Sequence, residues 1–476
     1  MNDRVNEVSQ LLSVLPSVDE VLSVEGTQDL IAQHGRRSVV EMVRSLLGEI
    51  REELAKHHSD GGGVAEINRS ALIEELVAKL GQAAEAERRS GVRRVINATG
   101  VVIHTNLGRA PLSAKAVEAM AAAAGYSTIE YDLENGRRGS RGSKAVSLLK
   151  QLTGAEDALV VNNCASAALL VLSVFAKGRE VVVSRGELVE IGGDFRIPDI
   201  LSASGATLSE VGTTNRTHLH DYANAVNDRT AMVLKVHPSN FRITGFTTVP
   251  ATKDLADFAH GHGIPLCEDA GSGALSDLSG LGLKNEPVIS ELIGAGADIV
   301  IFSGDKLLGG PQSGIIVGGA EYISRLRKAP YFRAFRVDKA ITAGLEATLE
   351  AHSRGTAERE IPVLKMLATT ANELETRSVE FLDRLNEALG EKAALSAKLQ
   401  TGRSAVGGGA APDSDIHTTL ISLSHSQMSE AELEEQLRSA ATPVIARIED
   451  GRVLVDLRTV ADSEEDQLLR TIAKMA

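Results

Sequence analysis

Five short apolar runs most constrain what this chain can fold into: Ala158–Val161, Glu180–Ser184, Ala231–Val236, Ile264–Glu268 and Asp298–Phe302. Most are continuous rather than alternating, the pattern of strands buried on both faces. Segments of helical length separate them, so the natural architecture is an α/β domain with a mostly parallel sheet. The pattern begins near residue 94. Ahead of it the chain reads as helices only, with apolar residues at helical spacing in Val39, Val43, Leu46, Leu47 and Ile50, then in Leu72, Ile73, Leu76, Val77 and Leu80. His57-His58-Ser59-Asp60-Gly61-Gly62-Gly63 reads as a break between them. Beyond the strands, a long helix is expected over Ala357–Leu389. Alternating runs at Thr418–Ser422 and Arg452–Leu457, helices around 429–439 and 463–475, and a Gly407–Pro412 loop then suggest an α+β cap. The expected division is 1–90, 91–355 and 356–476, with no internal repeat.

Composition narrows the class. Of 476 residues, 43% are hydrophobic and 24% charged, which excludes a disordered or collagen-like chain. Two cysteines, Cys164 and Cys267, cannot build a disulfide framework, and this fits a reducing compartment. No signal-like segment and no membrane-length apolar run is present, so a cytoplasmic protein is expected. The formal charge is −14, from 50 Lys+Arg against 64 Asp+Glu, and at first sight it argues against a nucleic-acid partner. His57-His58, His218/His220 and His260/His262 lack the spacing of metal ligands, so no metal is expected.

Three strand ends carry chemistry. The run Asp298–Phe302 enters Ser303-Gly304-Asp305-Lys306, a tight turn delivering one lysine. A lysine there can lose its proton by desolvation and attack a carbonyl as a Schiff-base nucleophile. Thirty-seven residues upstream, Asp269 closes another buried run, where a carboxylate can pair with a protonated pyridine nitrogen. Further back, Asn163-Cys164-Ala165-Ser166 leads from a strand into a helix through small residues whose N–H groups suit a phosphate. Each motif alone is weak, since lysines after strands are usually just solvated.

Phosphate cup, aspartate and lysine in this order resemble the pyridoxal-phosphate enzymes of the aspartate-aminotransferase fold (fold type I). The resemblance narrows at Arg94-Val95-Ile96-Asn97-Ala98-Thr99-Gly100, at His104-Thr105-Asn106-Leu107-Gly108-Arg109, at Ser184-Arg185-Gly186-Glu187-Leu188-Val189-Glu190, at Phe195-Arg196-Ile197-Pro198 and at the Ser303–Pro311 turn. Through these the chain is similar to the bacterial L-seryl-tRNA(Sec) selenium transferases, or selenocysteine synthases, over nearly its whole length. The resemblance implies an α/β fold with a mostly parallel seven-stranded-type sheet, an α+β C-terminal domain and a small all-helical N-terminal domain. It implies pyridoxal 5'-phosphate as cofactor, seryl-tRNA(Sec) and selenophosphate as reactants, and a homodecameric ring. In that family the seryl group forms an aldimine with the cofactor, and an aminoacrylyl intermediate takes up selenium.

Carried over residue by residue, Lys306 matches the Schiff-base lysine and Asp269 the pyridine partner. Ser303, Cys164, Ala165 and Ser166 match the phosphate-holding positions, and His237 lies at a further cofactor position. Asp305 is either support for the lysine or a turn-stabilising side chain. Arg109, Arg333 and Arg336 match the family's anion pocket, with Asn240 near the substrate or cofactor. Guanidinium forks suit such an anion, and the i, i+3 spacing of Arg333 and Arg336 predicts one side of a helical turn. The bland alternative is a basic surface patch, since Glu321–Lys339 holds six Lys/Arg and two Asp/Glu.

For tRNA, the helical N-terminus offers Arg36, Arg37 and Arg88-Arg89, within a stretch of 12 Lys/Arg and 16 Asp/Glu through Arg94. Thr213 and Thr214, and the segment 136–144, are further contact candidates. Local patches and shape, rather than bulk charge, are then what RNA binding needs. The rival is a lyase or aminotransferase acting on a free amino acid or amino sugar acid, for which Arg447 and Arg458 are candidate carboxylate ligands; either is equally readable as a strand-edge residue paired with Glu449 or Asp456. A scaffold with a dead site is a third reading, which the intact Lys306 and Asp269 oppose.

Overall fold

A computed structural model describes residues 15–59, 68–192, 195–390, 393–412 and 414–476. Two compact units divide the chain between Arg94 and Val95. The first is built from helices Val18–Ser23, Glu25–His34, Arg36–Ser59 and Arg69–Ser90. Ser17 and Glu20 form a reciprocal capping box at the first helix, and the Asn68 side chain accepts the Ser70 and Ala71 N–H groups at the fourth. Val39, Val43, Leu47, Leu76 and Leu80 bury against one another, as their spacing predicts. The expected break starts later than the sequence suggests. His57–Ser59 are still helical, because extending a nucleated helix costs little; residues 60–63 lie outside the described residues.

The second unit centres on a seven-stranded sheet. Its strands are β1 (Asp157–Val161), β2 (Glu180–Ser184), β3 (Thr207–Val211), β4 (Thr230–Val236), β5 (Leu266–Gly271), β6 (Ile299–Ser303) and β7 (Gly314–Gly318). The spatial order is β1-β7-β6-β5-β4-β2-β3. All neighbours are parallel except β7, which runs against both β6 and β1. The carboxyl ends of β1, β4, β5 and β6 therefore share one edge, where open α/β sheets bind ligands. Buried side chains cover both faces, Cys267, Ile299 and Ile301 on one and Leu266, Val300 and Phe302 on the other.

Two strands of this sheet escape the sequence reading. β3 is an edge strand bonded only to β2, so its polar residues meet solvent and break the apolar run. β7 is bracketed by Gly314 and Gly318, which read as turn residues.

A four-stranded antiparallel sheet follows, β8 (Leu395–Ser404), β9 (Ile416–His425), β10 (Arg447–Glu449) and β11 (Arg452–Asp456), in the order β8-β9-β11-β10. The helix expected over 357–389 is in fact three: Ala357–Glu360, Pro362–Ala368 and Ala371–Leu389. Pro362 offers no N–H and forces Ile361 out of the helical region (φ −95°, ψ 117°). Thr370 then caps the third helix through a capping box with Glu373. Helix Ala371–Leu389 packs Phe381 and Leu385 against Ile421, Leu423 and Val455 of this sheet.

A polar cluster is buried in the main sheet. Lys235 Nζ stands 3.4 Å from Glu268 Oε1, and Thr252 Oγ1 bonds both, at 2.6 Å from Nζ and 2.9 Å from Glu268 Oε2. Beside it Glu187, 3% exposed, accepts the Val236 N–H at 3.1 Å. Burial pushes the Glu187 carboxyl up to about 8, with the Val236 N–H and Lys235 working against it. Below the usual glutamate range the group is neutral in both folded and unfolded chains. Between there and about pH 8 only the unfolded chain ionises, so folding loses up to about 1.4 kcal/mol per pH unit. Glu187→Gln should therefore gain melting temperature over the parent protein progressively from pH 5 to pH 8. A difference independent of pH would contradict this.

Candidate active site

Lys306 is carried by the turn that leaves β6, and the turn is tight because Gly304 lacks a side chain. A Cβ there would lie 2.2 Å from Ser313 Oγ and 2.9 Å from the Pro311 carbonyl. The Gly304 N–H donates to Ser313 O at 2.8 Å, and the Gly309 N–H returns to Lys306 O at 2.9 Å. Lys306 is 3% exposed, and its Nζ donates to Gly409 O at 3.2 Å. Burial lowers its ammonium pKa below the ordinary lysine value; Cys164 and Asp269 oppose that shift, while Arg109 adds to it.

Asp269 lies within β5, in register with Ile301 of β6 and Val236 of β4. Its Oδ1 accepts the Gly271 N–H at 3.0 Å, and the Cys164 thiol donates to it at 3.7 Å. Burial pushes its carboxyl above the usual range, opposed chiefly by Lys306. Burial thus works against the charge on both carboxyl and amine. A ligand bringing a cationic ring nitrogen and a carbonyl carbon would meet complementary groups here.

Cys164 opens the helix Cys164–Phe175. Asn163 caps it by accepting the Ser166 N–H at 2.8 Å. That cap uses the Ser166 amide, leaving the amides of Cys164 and Ala165 at the helix N-terminus pointing out of the first turn. Ser303, at the end of β6, is buried, and interaction with its hydroxyl lowers the Cys164 thiol, against a larger upward shift from burial. His237 follows β4, its N–H bonded to Asp269 O at 2.9 Å. Its Nε2 is buried without a hydrogen-bond partner, 3.7 Å from Glu286 Oε1, and the nearby Ser239 Oγ is likewise unpartnered. The unpartnered Ser239 Oγ, beside a buried lysine and carboxyl, fits a site shaped for a polar ligand.

The other expected residues are placed less uniformly. Arg109, at φ +65°, donates from Nη1 to Asp305 Oδ2 at 2.9 Å, which makes Asp305 the partner of an arginine rather than only a turn residue. Arg336 does not share a helical face with Arg333. The helix ends at Phe335, and Arg336 is extended (φ −62°, ψ 133°), with its Nη1 3.6 Å from Glu130 Oε1. Glu130 also accepts Arg138 and Arg141. Arg333 is exposed, and the three arginines share no partner among the described residues. The Asn240 side chain donates to Glu190 O at 2.7 Å, while its Cβ and Lys306 Nζ both border Gly409.

Arg36 and Arg37 are exposed at a helix start, near Asp19 (3.7 Å) and Glu41 (3.2 Å) respectively. Thr213 closes a turn onto Arg216 O, and Thr214 lines a cavity of about 600 Å³ together with Glu187, His237 and Glu286. Among the described residues no cluster of three His, Cys, Asp or Glu could hold a metal ion, and no helix is long and apolar enough to cross a membrane.

Arg447 and Arg458 are not free to hold a carboxylate. Arg458 is 3% exposed and donates to Ser404 Oγ and to the carbonyls of Met366, Thr369 and His417, at 2.7–3.0 Å. Arg447 donates to the carbonyls of Thr99 and Arg403. Sequence reasoning passed over Glu286 and Ser239. The only signal for Ser239 is its place beside His237 after a buried run, and Glu286 stands in a loop with no motif.

Comparison with known proteins places this arrangement. Residues 95–461 match the model of the L-seryl-tRNA selenium transferase family, and residues 12–51 match that of the selenocysteine synthase N terminus. L-seryl-tRNA(Sec) selenium transferase of Geobacter metallireducens is 46% identical over 468 residues, covering 98% of this chain and 99% of the relative. The Clostridium perfringens protein of that name is 44% identical over 468 residues, with the same coverage. Among solved structures, a D-glucosaminate-6-phosphate ammonia-lyase superposes with a TM-score of 0.57 at 21% identity, covering 82% of this chain and 97% of that one. The last likeness shows the fold alone. On the match across both units, the chain belongs to the L-seryl-tRNA selenium transferase family.

Proposed function

We propose that this protein converts L-seryl-tRNA(Sec) to L-selenocysteyl-tRNA(Sec) with selenophosphate, using pyridoxal 5'-phosphate, as a cytoplasmic homodecamer. The observation that carries the reading is near-end-to-end identity with relatives of that name, N-terminal unit included. The buried lysine and carboxyl, the open helix N-terminus and the unpartnered Ser239 Oγ suit the cofactor. When bound, it supplies an electron sink for carbanion chemistry at the substrate α-carbon.

The chain's own groups take the remaining roles. Burial lowers the Lys306 ammonium pKa, which favours its amine as the group that accepts the α-proton and returns it. Asp269 faces the ring nitrogen and balances its charge. The Cys164 and Ala165 amides, with Ser303 and Ser166, bind the cofactor phosphate, and His237 borders the ring. Arg109, oriented by Asp305, with Arg333, Arg336 and Asn240, receives the selenophosphate oxygens. Arg36 and Arg37, with Thr213 and Thr214, contact tRNA or a neighbouring subunit.

A serine esterified to tRNA carries no free carboxylate. Arg458 is bonded to Ser404 and three backbone carbonyls, and Arg447 to two carbonyls with Glu449 at 3.6 Å, which favours it over a free amino acid, whose carboxylate needs an unspent cation. Incubation of the purified protein with seryl-tRNA(Sec) and selenophosphate should yield selenocysteyl-tRNA. Turnover of free serine with no product on tRNA would overturn the reading. Lys306→Ala should lose the absorbance band of the bound cofactor and about 10²–10⁴-fold in rate; an unchanged band would refute the role of Lys306.

A further inference from the structure

The loop that reaches Lys306 is held in an unusual backbone conformation. Gly407, Gly408 and Gly409 run at φ +76°, +61° and +69°, and Ala411 follows at +47°. Glycine enters this region freely, whereas alanine does so against the sterics of its Cβ. A Cβ on Gly407 or Gly408 would lie 2.3 Å from Val101 Cγ1 or 2.4 Å from Ile103 Cγ2, so the first half of the loop is pressed onto residues 101–103. The next residue, Gly409, presents its carbonyl to Lys306 Nζ.

One carboxylate secures the second half. Glu286 accepts the N–H of the strained Ala411 on Oε1 and the Ser272 hydroxyl on Oε2. The Ser272 carbonyl in turn accepts the N–H of Leu307, adjacent to the lysine, at 3.0 Å. Glu286 thus bridges the loop and the lysine turn with a side chain only 2% exposed. Burial works against its charge, but His237, the Ser272 hydroxyl and the Ala411 N–H outweigh it and keep the carboxyl below its ordinary pKa. Charged acceptors make the stronger hydrogen bonds, and a strained non-glycine residue persists only where its surroundings over-determine it.

We infer that Glu286 is a positioning residue that latches loop 407–411 over Lys306, so that the Gly409 carbonyl orients the lysine amine toward the carbon it attacks. What the amine attacks rests on the function proposed above; the latch itself does not. The test compares full-length parent protein, Glu286→Ala and Glu286→Gln by hydrogen exchange and by the rate at which cofactor-free protein takes up pyridoxal 5'-phosphate.

In Glu286→Ala, amides of 405–412 should exchange about tenfold faster or more while the sheet amides stay protected. Cofactor uptake should slow about 10- to 100-fold, the size expected when a reacting group is misplaced. Glu286→Gln keeps an amide oxygen for the Ala411 N–H and should recover most of both. If Glu286→Ala does not accumulate, Glu286→Asp, one methylene short, should show the same loop release. Unchanged exchange at 405–412, or equal uptake by all variants, would overturn the latch. A parent protein that takes up no cofactor would instead sink the proposed function and leave the exchange result standing as the test of the latch.

Discussion

The site depends on one costly placement: a carboxylate and an amine buried together at the carboxyl ends of two adjacent parallel strands. Asp269 on β5 and Lys306 just past β6 are 4% and 3% exposed. Burying either alone would leave an uncompensated charge, a penalty of several kcal/mol that proteins avoid by pairing or neutralising such groups. Here burial drives both toward neutrality while each holds the other back. Much of the local structure serves this pair. Gly304 closes the turn, Gly271 supplies an N–H to the carboxylate, Cys164 brings the helix N-terminus alongside, and β7 inserts antiparallel to join β1 to β6.

The reading from sequence reached the pair because both residues end long apolar runs, the clearest local signal a buried parallel strand gives. It also reached the helical character of the N-terminal unit, whose heptad-like spacing is repeated in its buried face. It missed β3 because an edge strand has one solvated side, and β7 because its bounding glycines imitate turns. It fused three helices into one because apolar periodicity runs past both breaks, at Pro362 and at the Thr370 cap. The expected shared helical face of Arg333 and Arg336 failed for a different reason. Spacing of three places residues on one helical face only while the helix lasts, and this one stops before Arg336. Glu286 had no sequence signal at all, since its partners Ser272 and Ala411 lie 14 and 125 residues away.

The acidity of the chain looks different once its charges are located. Arg138, Arg141 and Arg336 converge on the single carboxylate of Glu130, and Arg377 and Arg384 both reach Glu465. Several basic residues are thus committed to internal pairs, and the −14 net charge says little about where an anion can land. The same accounting counts against Arg447 and Arg458 as substrate ligands, because both Nη groups of each already donate to backbone carbonyls. An enzyme whose amino acid arrives as an ester has no use for such a ligand, and none is left over there.

Lys306, buried beside Asp269, is the lysine proposed for carbonyl attack. Loading the full-length protein with pyridoxal 5'-phosphate, reducing it with borohydride and mapping the modified peptide tests this most directly. A single label on Lys306 is expected, because burial lowers its ammonium pKa below that of ordinary lysines. A label spread over surface lysines, or placed on Lys235 in its buried cluster, would contradict it.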